Sequence, residues 1–270
     1  MPVLLIFGLG YSAQRIAGAA KLRGWAVIAT RRTADADILA FDDESAVRSA
    51  IGNASHILSS VPPGEAGDPV LAHYGEAIAT ASAVWCGYLS STGVYGDRAG
   101  AWVDEQSATG GGRRGARMAA DAAWQALRRD MRVFRLPGIY GPGRSPLDRV
   151  LAGRANRIDR PGHVFSRIHV DDIASGVAAS WDRGPPGVYN LADDCPASQN
   201  AVVETACGLL GQPLPPLVAL DDAGLSPEAK AYYGECRRVA NGKARRLLGW
   251  RPAYRDWRAG LRAIAARERR

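Results

Sequence analysis

Cysteine is scarce in this 270-residue sequence, and the few cysteines show no pairing pattern. Cys86, Cys195, Cys207 and Cys236 form neither a Cys-x-x-Cys pair nor a cluster with histidine. This argues against a disulfide framework and against a structural zinc site, so we expect no bound metal. A reducing compartment, the cytoplasm, fits this cysteine usage.

Long apolar runs are also missing. No stretch approaches the roughly 20 apolar residues that span a bilayer, so we expect no membrane partner. The first residues, MPVLLIFGLG, lack the basic segment of a signal peptide, and their apolar run ends in glycines. We therefore interpret them as a buried strand followed by a turn.

Lysine is the third scarcity, in a chain whose net charge is nevertheless +7. Of its 34 basic residues, only Lys21, Lys230 and Lys243 are lysines, and the arginines are scattered without a continuous block. No aromatic-basic platform or recognition motif accompanies them, so we do not expect a nucleic-acid partner. Hydrophobic residues make up 47% of the chain, which is enough for an ordinary globular core.

Strand-like and helix-like segments alternate through the first half of the chain. This alternation predicts βαβ units and a Rossmann-type, doubly wound parallel sheet of the α/β class. After Pro142 the pattern breaks up among prolines and glycines. We expect one unit over 1–270, with a Rossmann core at about 1–140 plus 164–190 and a small substrate lobe at about 141–163 plus 191–270. The predicted strands are 3–7, 25–30, 37–41, 56–61, 84–90 and 132–136.

The sequence GLGYSA at residues 8–13 lies between the first predicted strand and the first predicted helix. Gly8 permits a tight turn, Gly10 lets the backbone approach a pyrophosphate, and Ala13 allows close packing of the helix on the strand. Tyr11 and Ser12 begin the helix, whose N-terminal N–H groups favour phosphate. The loop predicts a dinucleotide site; a tight turn without a ligand is the alternative.

Two arginines, Arg31 and Arg32, follow the second predicted strand. An NAD-binding protein usually has an acid at this place, whereas arginines suit the 2′-phosphate of NADP. The alternative is that both arginines are simply solvated. Because the acids Asp35 and Asp37 come later in the chain, we expect NADP as the cofactor and regard NAD as the less favoured choice.

Five ordered motifs then resemble those of extended short-chain dehydrogenase/reductases, the NAD-dependent epimerase/dehydratase family. They are SSTGVYGD at 90–97, RLPGIYGP at 135–142, RIHVDDI at 167–173, YN at 189–190 and NGKARRLLGWRP at 241–252. The resemblance covers nearly the whole chain.

The resemblance implies roles for single residues. Ser91, three residues before Val94, would hydrogen-bond the reacting carbonyl or hydroxyl. Asp42 would reach the adenine side of the cofactor, with a surface helix cap as its alternative role. Val61 and Pro62 would line the cofactor, and Leu136 and Pro137 would lie near the nicotinamide.

One departure from the family pattern concerns its proton relay, a tyrosine followed four residues later by a lysine. No tyrosine of this chain has a lysine at that spacing. Asp121 matches an acid that the family shows after the pair, which puts Arg113 at the tyrosine position and Arg117 at the lysine position. Arginine can hold ribose or phosphate but cannot act as an acid or base, because it stays protonated.

Two functions remain open at this stage. The first is an NADP-dependent oxidoreductase or epimerase-like enzyme for a small metabolite, with Ser91, Thr92, Tyr140, Arg113 and Arg117 facing the substrate. His169 is a further titratable candidate, although a histidine in an apolar run is more often packed. The second is a non-catalytic NADP-binding redox sensor or scaffold. A serine paired with tyrosine or histidine beside the nicotinamide would favour the enzyme.

The resemblance also implies a homodimer. Extended relatives pair through the helices that follow the fourth and fifth strands, here predicted at about 69–83 and 116–129. A purely intramolecular helix face is the alternative.

Overall fold

The computed structural model describes residues 1–35, 38–112 and 115–268. The predicted strands agree with the observed ones to within two residues at either end. In chain order, the strands are β1 (Val3–Phe7), β2 (Ala26–Arg31), β3 (Ile38–Ala40), β4 (His56–Ser59), β5 (Trp85–Ser91), β6 (Trp102–Val103), β7 (Met131–Leu136), β8 (Gly138–Tyr140), β9 (Arg157–Ile158), β10 (Arg167–His169), β11 (Gly187–Asn190), β12 (Leu217–Val218) and β13 (Arg238–Val239).

Helices follow most of these strands, as βαβ connections require. A short 3-10 helix, Thr92–Tyr95, continues directly from β5. The α-helices are α1 (Tyr11–Leu22), α2 (Glu44–Asn53), α3 (Pro69–Thr80), α4 (Gly115–Leu127), α5 (Pro146–Leu151), α6 (Val170–Asp182), α7 (Gln199–Leu210), α8 (Pro227–Tyr232), α9 (Gly242–Leu247) and α10 (Trp257–Glu268). In the described part of the chain, no helix has both the length and the apolar character to cross a membrane.

Seven strands form one parallel sheet in the order β11-β7-β5-β4-β1-β2-β3. Central strands such as β1 and β4 are buried along nearly their whole length, as parallel strands covered by helices on both faces are. The chain adds β2 and β3 on one side of β1 and β4 on the other. In such sheets the usual ligand position is at the carboxyl ends of the strands beside this switch, here β1 and β4. The predicted α/β Rossmann-type fold is confirmed.

Separate apolar clusters cover the two faces of the sheet. Residues of α1 and α6 pack against one face, and residues of α2, α3 and α4 pack against the other. A third cluster gathers Tyr140, Leu147, Val202 and Trp257 from β8, α5, α7 and α10. The long helices around the sheet therefore hold the carboxyl ends of its strands at fixed positions. The candidate functional site described below lies at these strand ends.

A buried ion pair attaches α4 to the sheet. The Arg135 guanidinium on β7 donates two hydrogen bonds to the Asp121 carboxylate on α4, at 2.7 and 3.1 Å. The hydroxyl of Ser90 donates to the same carboxylate, and a third guanidinium nitrogen donates to the Tyr95 hydroxyl at 3.1 Å. Tyr95 in turn donates to the side-chain oxygen of Asn190 at 2.8 Å, so the network reaches β11.

Arg128, which directly follows α4, caps the C-terminal end of α3. Arg128 donates to the carbonyl oxygens of Ile78, Ala81 and Ala83 at 2.7–3.0 Å and pairs with Asp130 at 2.8 Å. A cation at a helix C-terminus complements both the free carbonyls and the helix dipole. This arginine, which interrupts the apolar pattern after α4, therefore serves a contact within the chain.

We expect Asp121→Ala to lower the free energy of unfolding by about 3–5 kcal/mol, because it leaves the Arg135 charge buried without its partner. The matched control is Asp182→Ala, which breaks an exposed ion pair with Arg23 of equal length, 2.7 Å, and should cost less than about 1 kcal/mol. Chemical denaturation followed by circular dichroism compares the two. Equal losses in both variants would contradict the role given to the buried pair.

Candidate functional site

The glycine loop contacts the carboxyl ends of β2 and β4, the two strands that flank β1. Gly8 has φ +82°, a conformation that favours glycine, and its N–H donates to the Thr30 carbonyl at 3.2 Å. A Cβ on Gly8 would lie 2.8 Å from the Cγ2 atom of Val61, which follows β4. The turn, β2 and β4 therefore meet closely here, and the predicted cofactor-lining position of Val61 lies directly against the loop.

Gly10 is the N-cap residue of α1 and differs from Gly8 in its surroundings. Its backbone is extended, and a Cβ built on it would meet nothing within 4 Å. Because Gly10 has no side chain, the N-cap residue of α1 supplies no acceptor to the N–H groups of the first turn. Ala13 is fully buried against the sheet, and Ser12 is also buried. This open helix N-terminus fits a phosphate group.

Tyr11 connects the loop to a distant turn. Its hydroxyl donates to the Pro142 carbonyl at 3.1 Å, and a Cβ on Gly141 would lie 2.5 Å from the same hydroxyl. The guanidinium of Arg144 lies 5.7 Å from the centre of the Tyr11 ring. Arg144 is not among the predicted site residues, because nothing in its local sequence indicates that this turn folds back to the first helix.

Arg31 lies at the glycine loop, where the NADP prediction requires a cation. Its Nη2 atom donates to the Leu9 carbonyl at 3.2 Å, and the side chains of Arg31 and Arg32 are exposed. Asp42 is exposed before α2, but the cap of that helix is Asp43, whose carboxylate accepts from the Ala46 N–H at 3.0 Å. The cap role considered for Asp42 is therefore wrong.

Ser91 ends β5 at the centre of the sheet, opposite Leu136 on β7. Its Oγ accepts a hydrogen bond from the Gly93 N–H at 3.1 Å, which leaves the hydroxyl proton available to a ligand. Thr92 is buried beside it, and Pro137 is half-buried after β7. Since β4, β5 and β7 are neighbours, Pro62, Ser91 and Pro137 lie at or just after the carboxyl ends of three adjacent strands.

Arg117 lies in the first turns of α4, four residues before Asp121. Its Nη1 atom donates to the Tyr88 hydroxyl at 3.4 Å. Tyr88 stacks on Trp124 with ring centres 5.2 Å apart, and burial raises its pKa to about 12. The structure therefore anchors the Arg117 guanidinium to β5. Arg113, the other arginine of the motif, lies outside the described residues.

Two other predicted candidates are enclosed. Tyr140 is buried, and a Cβ on Gly260 of α10 would overlap its ring and hydroxyl, so the hydroxyl does not face an open crevice. Burial raises its pKa. His169 is buried against Tyr140 and Tyr254, its Nδ1 accepts from the Asp171 N–H, and burial lowers its pKa to about 4. His169 is thus a packed, neutral residue, the alternative that the sequence favoured.

No tyrosine or histidine hydrogen-bonds Ser91 within the described ranges. The hydroxyl of Tyr95, four residues after Ser91, is held by Arg135 and Asn190, and that of Tyr88, three residues before it, accepts from Arg117. His163 is bonded to the Glu235 carbonyl in another part of the chain. The described residues also contain no cluster of three or more metal-ligating side chains. Ser91 can therefore donate a hydrogen bond to a ligand, while a neighbouring acid or base is not among its described contacts.

Comparison with known proteins yields one curated relative, and no family model matches the chain. A 3-diazoavenalumate denitrifying reductase from Streptomyces sp. is 31% identical over 140 residues. The match covers 48% of this chain and 45% of the reductase, so it spans less than half of either protein.

Solved structures resemble the whole chain. A functionally unknown conserved protein from Silicibacter pomeroyi DSS is 41% identical and superposes with a TM-score of 0.91 over 100% of both chains. The human epimerase family protein SDR39U1, solved with NADPH, is 16% identical with a TM-score of 0.78 over 98% of both chains. MoeE5, solved with UDP-glucuronic acid and NAD, is 19% identical with the same TM-score and coverage.

The structural neighbours with a stated function thus include NAD-dependent epimerases and dehydratases of the short-chain dehydrogenase/reductase group. Of these neighbours, MoeE5 was solved with NAD and SDR39U1 with NADPH, and the partial curated relative is a reductase. At their level of identity these neighbours show the fold of the chain. The chain belongs to the same family as the conserved Silicibacter pomeroyi protein, and it has the fold of the NAD-dependent epimerase/dehydratase proteins.

Proposed function

We propose that this chain is an NADP-dependent oxidoreductase that reduces a small metabolite. The observation that carries the proposal is the hydrogen bond from Arg31 to the Leu9 carbonyl, since it puts a permanent cation on the dinucleotide loop. A carboxylate would be expected there for the ribose hydroxyl of NAD, whereas a guanidinium suits the additional phosphate of NADP.

The strand order supports a course for the cofactor along the carboxyl edge of the sheet. Gly10 and the start of α1 would hold the pyrophosphate, and Arg31 with Arg32 would hold the 2′-phosphate. Asp42 would lie on the adenine side. From β1 the cofactor would pass Val61 and Pro62, which follow β4. It would then reach Leu136 and Pro137 at the end of β7, so that its nicotinamide would lie near Ser91.

Ser91 is the proposed contact to the reacting group. NADPH, when bound, supplies a hydride. The free hydroxyl proton of Ser91 would hydrogen-bond the substrate oxygen on which negative charge develops, as donors in oxyanion sites do. The described residues include no phenol or imidazole bonded to Ser91, so we assign the proton that completes the reduction to water, delivered through the Ser91 hydroxyl. Arg117 and Arg113 would attract the substrate or the ribose.

A non-catalytic NADP-binding sensor is the second candidate. It is favoured by the enclosed hydroxyl of Tyr140 and by the lack of an acid or base bonded to Ser91 in the described ranges. Partial similarity to a reductase favours the enzyme. Both candidates require the same dinucleotide site, and they differ in whether Ser91 affects turnover.

We expect the protein to bind NADPH at least tenfold more tightly than NADH, because a charge-assisted hydrogen bond contributes about 1.5–3 kcal/mol. Arg31→Ala should remove most of this preference by weakening NADPH binding alone. Arg154→Ala, which removes an equally charged and exposed side chain elsewhere, is the control and should leave both affinities unchanged. Isothermal titration calorimetry measures all three proteins. Equal affinities for the two cofactors in the unaltered chain would contradict the assignment.

Gly10→Val should abolish NADPH binding without unfolding the protein. The valine side chain meets no protein atom near its Cβ, yet it would occupy the space that the pyrophosphate needs. Gly18→Ala, in the same helix and also in open surroundings, should bind NADPH normally. Thermal unfolding with and without NADPH reports fold and binding together. A Gly10→Val protein that NADPH still stabilises would show that the loop is only a turn.

Ser91→Ala should lower turnover by about 100-fold or more, the usual loss of one oxyanion donor, while NADPH affinity stays within a factor of two or three. The test uses a substrate found by following NADPH absorbance across a metabolite panel. Ser49→Ala, an exposed helical serine, is the control. If Ser91→Ala turns over normally, Ser91 is not the reacting contact. If no metabolite oxidises NADPH although NADPH binds, the sensor replaces the enzyme.

A further inference from the structure

A cavity of about 350 Å³ lies beyond the carboxyl end of β11, the edge strand on the side of the sheet opposite to β3. Its lining includes Trp102 of β6, Asp193 and Asp194 after β11, and Asn241 and Arg245 at α9. Its volume lies within the range of small-molecule sites. None of these residues belongs to the proposed dinucleotide site.

Asp193 is the unusual residue of this cavity. It is 1% exposed, and its Oδ1 atom accepts a hydrogen bond from the Cys195 N–H at 3.1 Å. Its Oδ2 atom is buried and has no hydrogen-bond partner among the described residues. A buried carboxylate oxygen without a donor is costly, so such an atom indicates a missing partner.

Asp194, the next residue in the chain, differs from Asp193 in having charged partners. Asp194 accepts hydrogen bonds from Arg245 at 3.2 and 3.3 Å and also has Arg255 at 3.6 Å. Asp193 has no ion pair within the described ranges. The nearby Arg167 uses its guanidinium on two backbone carbonyls and an amide oxygen. The cavity therefore contains one acid that the protein neutralises and one that it does not.

Two further groups favour a donor-rich ligand with an apolar part. The Asn241 amide donates two hydrogen bonds within the described residues, to the Ala192 carbonyl and to Asp194, and its amide oxygen remains as an acceptor. Trp102 is 59% exposed on the two-stranded β6–β13 pair, although it is one of the largest apolar side chains. An exposed indole beside a carboxylate is a typical surface for a cation.

We propose that this cavity binds a small organic cation, an ammonium or amidinium group on an apolar body, whose N–H groups donate to Asp193 and whose face lies on Trp102. The Asp193 Oδ2 atom would gain its missing donor, and the ligand would gain a charge-assisted hydrogen bond. This site is separate from the dinucleotide site, so it needs no cofactor.

The titration of Asp193 predicts that the affinity for a cationic ligand depends on pH. Burial raises the pKa of Asp193 to about 7, opposed by the Cys195 N–H and by Arg167 and assisted by Asp256 and Asp194. Tyr140 also faces this carboxylate, and burial together with the Asp193 charge raises the pKa of the Tyr140 hydroxyl. The carboxylate becomes ionised as the pH rises through about 7. A cationic ligand that binds this carboxylate should therefore bind more tightly at pH 8 than at pH 6.

Calorimetry with benzamidinium as the probe, on the full chain without dinucleotide, tests the proposal. We expect binding at one site, weakened at least tenfold in Asp193→Asn and several-fold in Trp102→Ala. Asp221→Asn removes an exposed carboxylate paired with Lys230 and should leave the affinity unchanged. Neutral benzamide, which has the same shape, should bind at least tenfold more weakly, and Asp193→Asn should lose the rise in affinity between pH 6 and pH 8.

Several results would overturn the proposal. They are no binding of benzamidinium at millimolar concentration, equal binding of benzamide, or unchanged affinity in both Asp193→Asn and Trp102→Ala. Trp102 lies at the surface, so its variant keeps the test valid even if Asp193→Asn does not fold. NADPH titration of the same variants separates this site from the proposed function, since neither substitution should change NADPH affinity.

Discussion

The buried pair of Arg135 and Asp121 is the contact on which the carboxyl edge of the sheet depends. A charge taken out of water is tolerated only with nearly complete hydrogen bonding, and this pair has it from Ser90 and Tyr95. The requirement fixes α4 against β5 and β7. Because Ser91 follows Ser90 directly, the same network sets the position of the proposed reacting hydroxyl.

The two glycines of the first turn serve different physical needs. Gly8 adopts a positive φ and touches Val61, so the fold itself requires it. Gly10 has an ordinary extended backbone and open space where a side chain would be, so the fold does not require it. A glycine without a structural reason, at an uncapped helix N-terminus, is the feature expected of a phosphate cradle.

Asp121 and Asp193 illustrate the difference between an acid that supports the fold and one that awaits a partner. Both are almost completely buried. Asp121 receives donors on both oxygens, whereas one oxygen of Asp193 has none among the described residues. Burying an unpaired carboxylate costs stability, and binding sites commonly carry such a cost because the ligand relieves it.

Local pattern in the sequence determined the strand–helix alternation, the parallel sheet, the glycine turn and the position of an arginine at the end of β2. These features depend on periodicity and short spacing, which neighbouring residues carry. Tertiary structure alone decided the rest. Tyr140 is enclosed by α10, Arg117 is bonded to Tyr88, and Arg144 lies over Tyr11, through contacts between residues 29 or more positions apart. Such contacts arise from the packing of separate elements, so no local spacing encodes them.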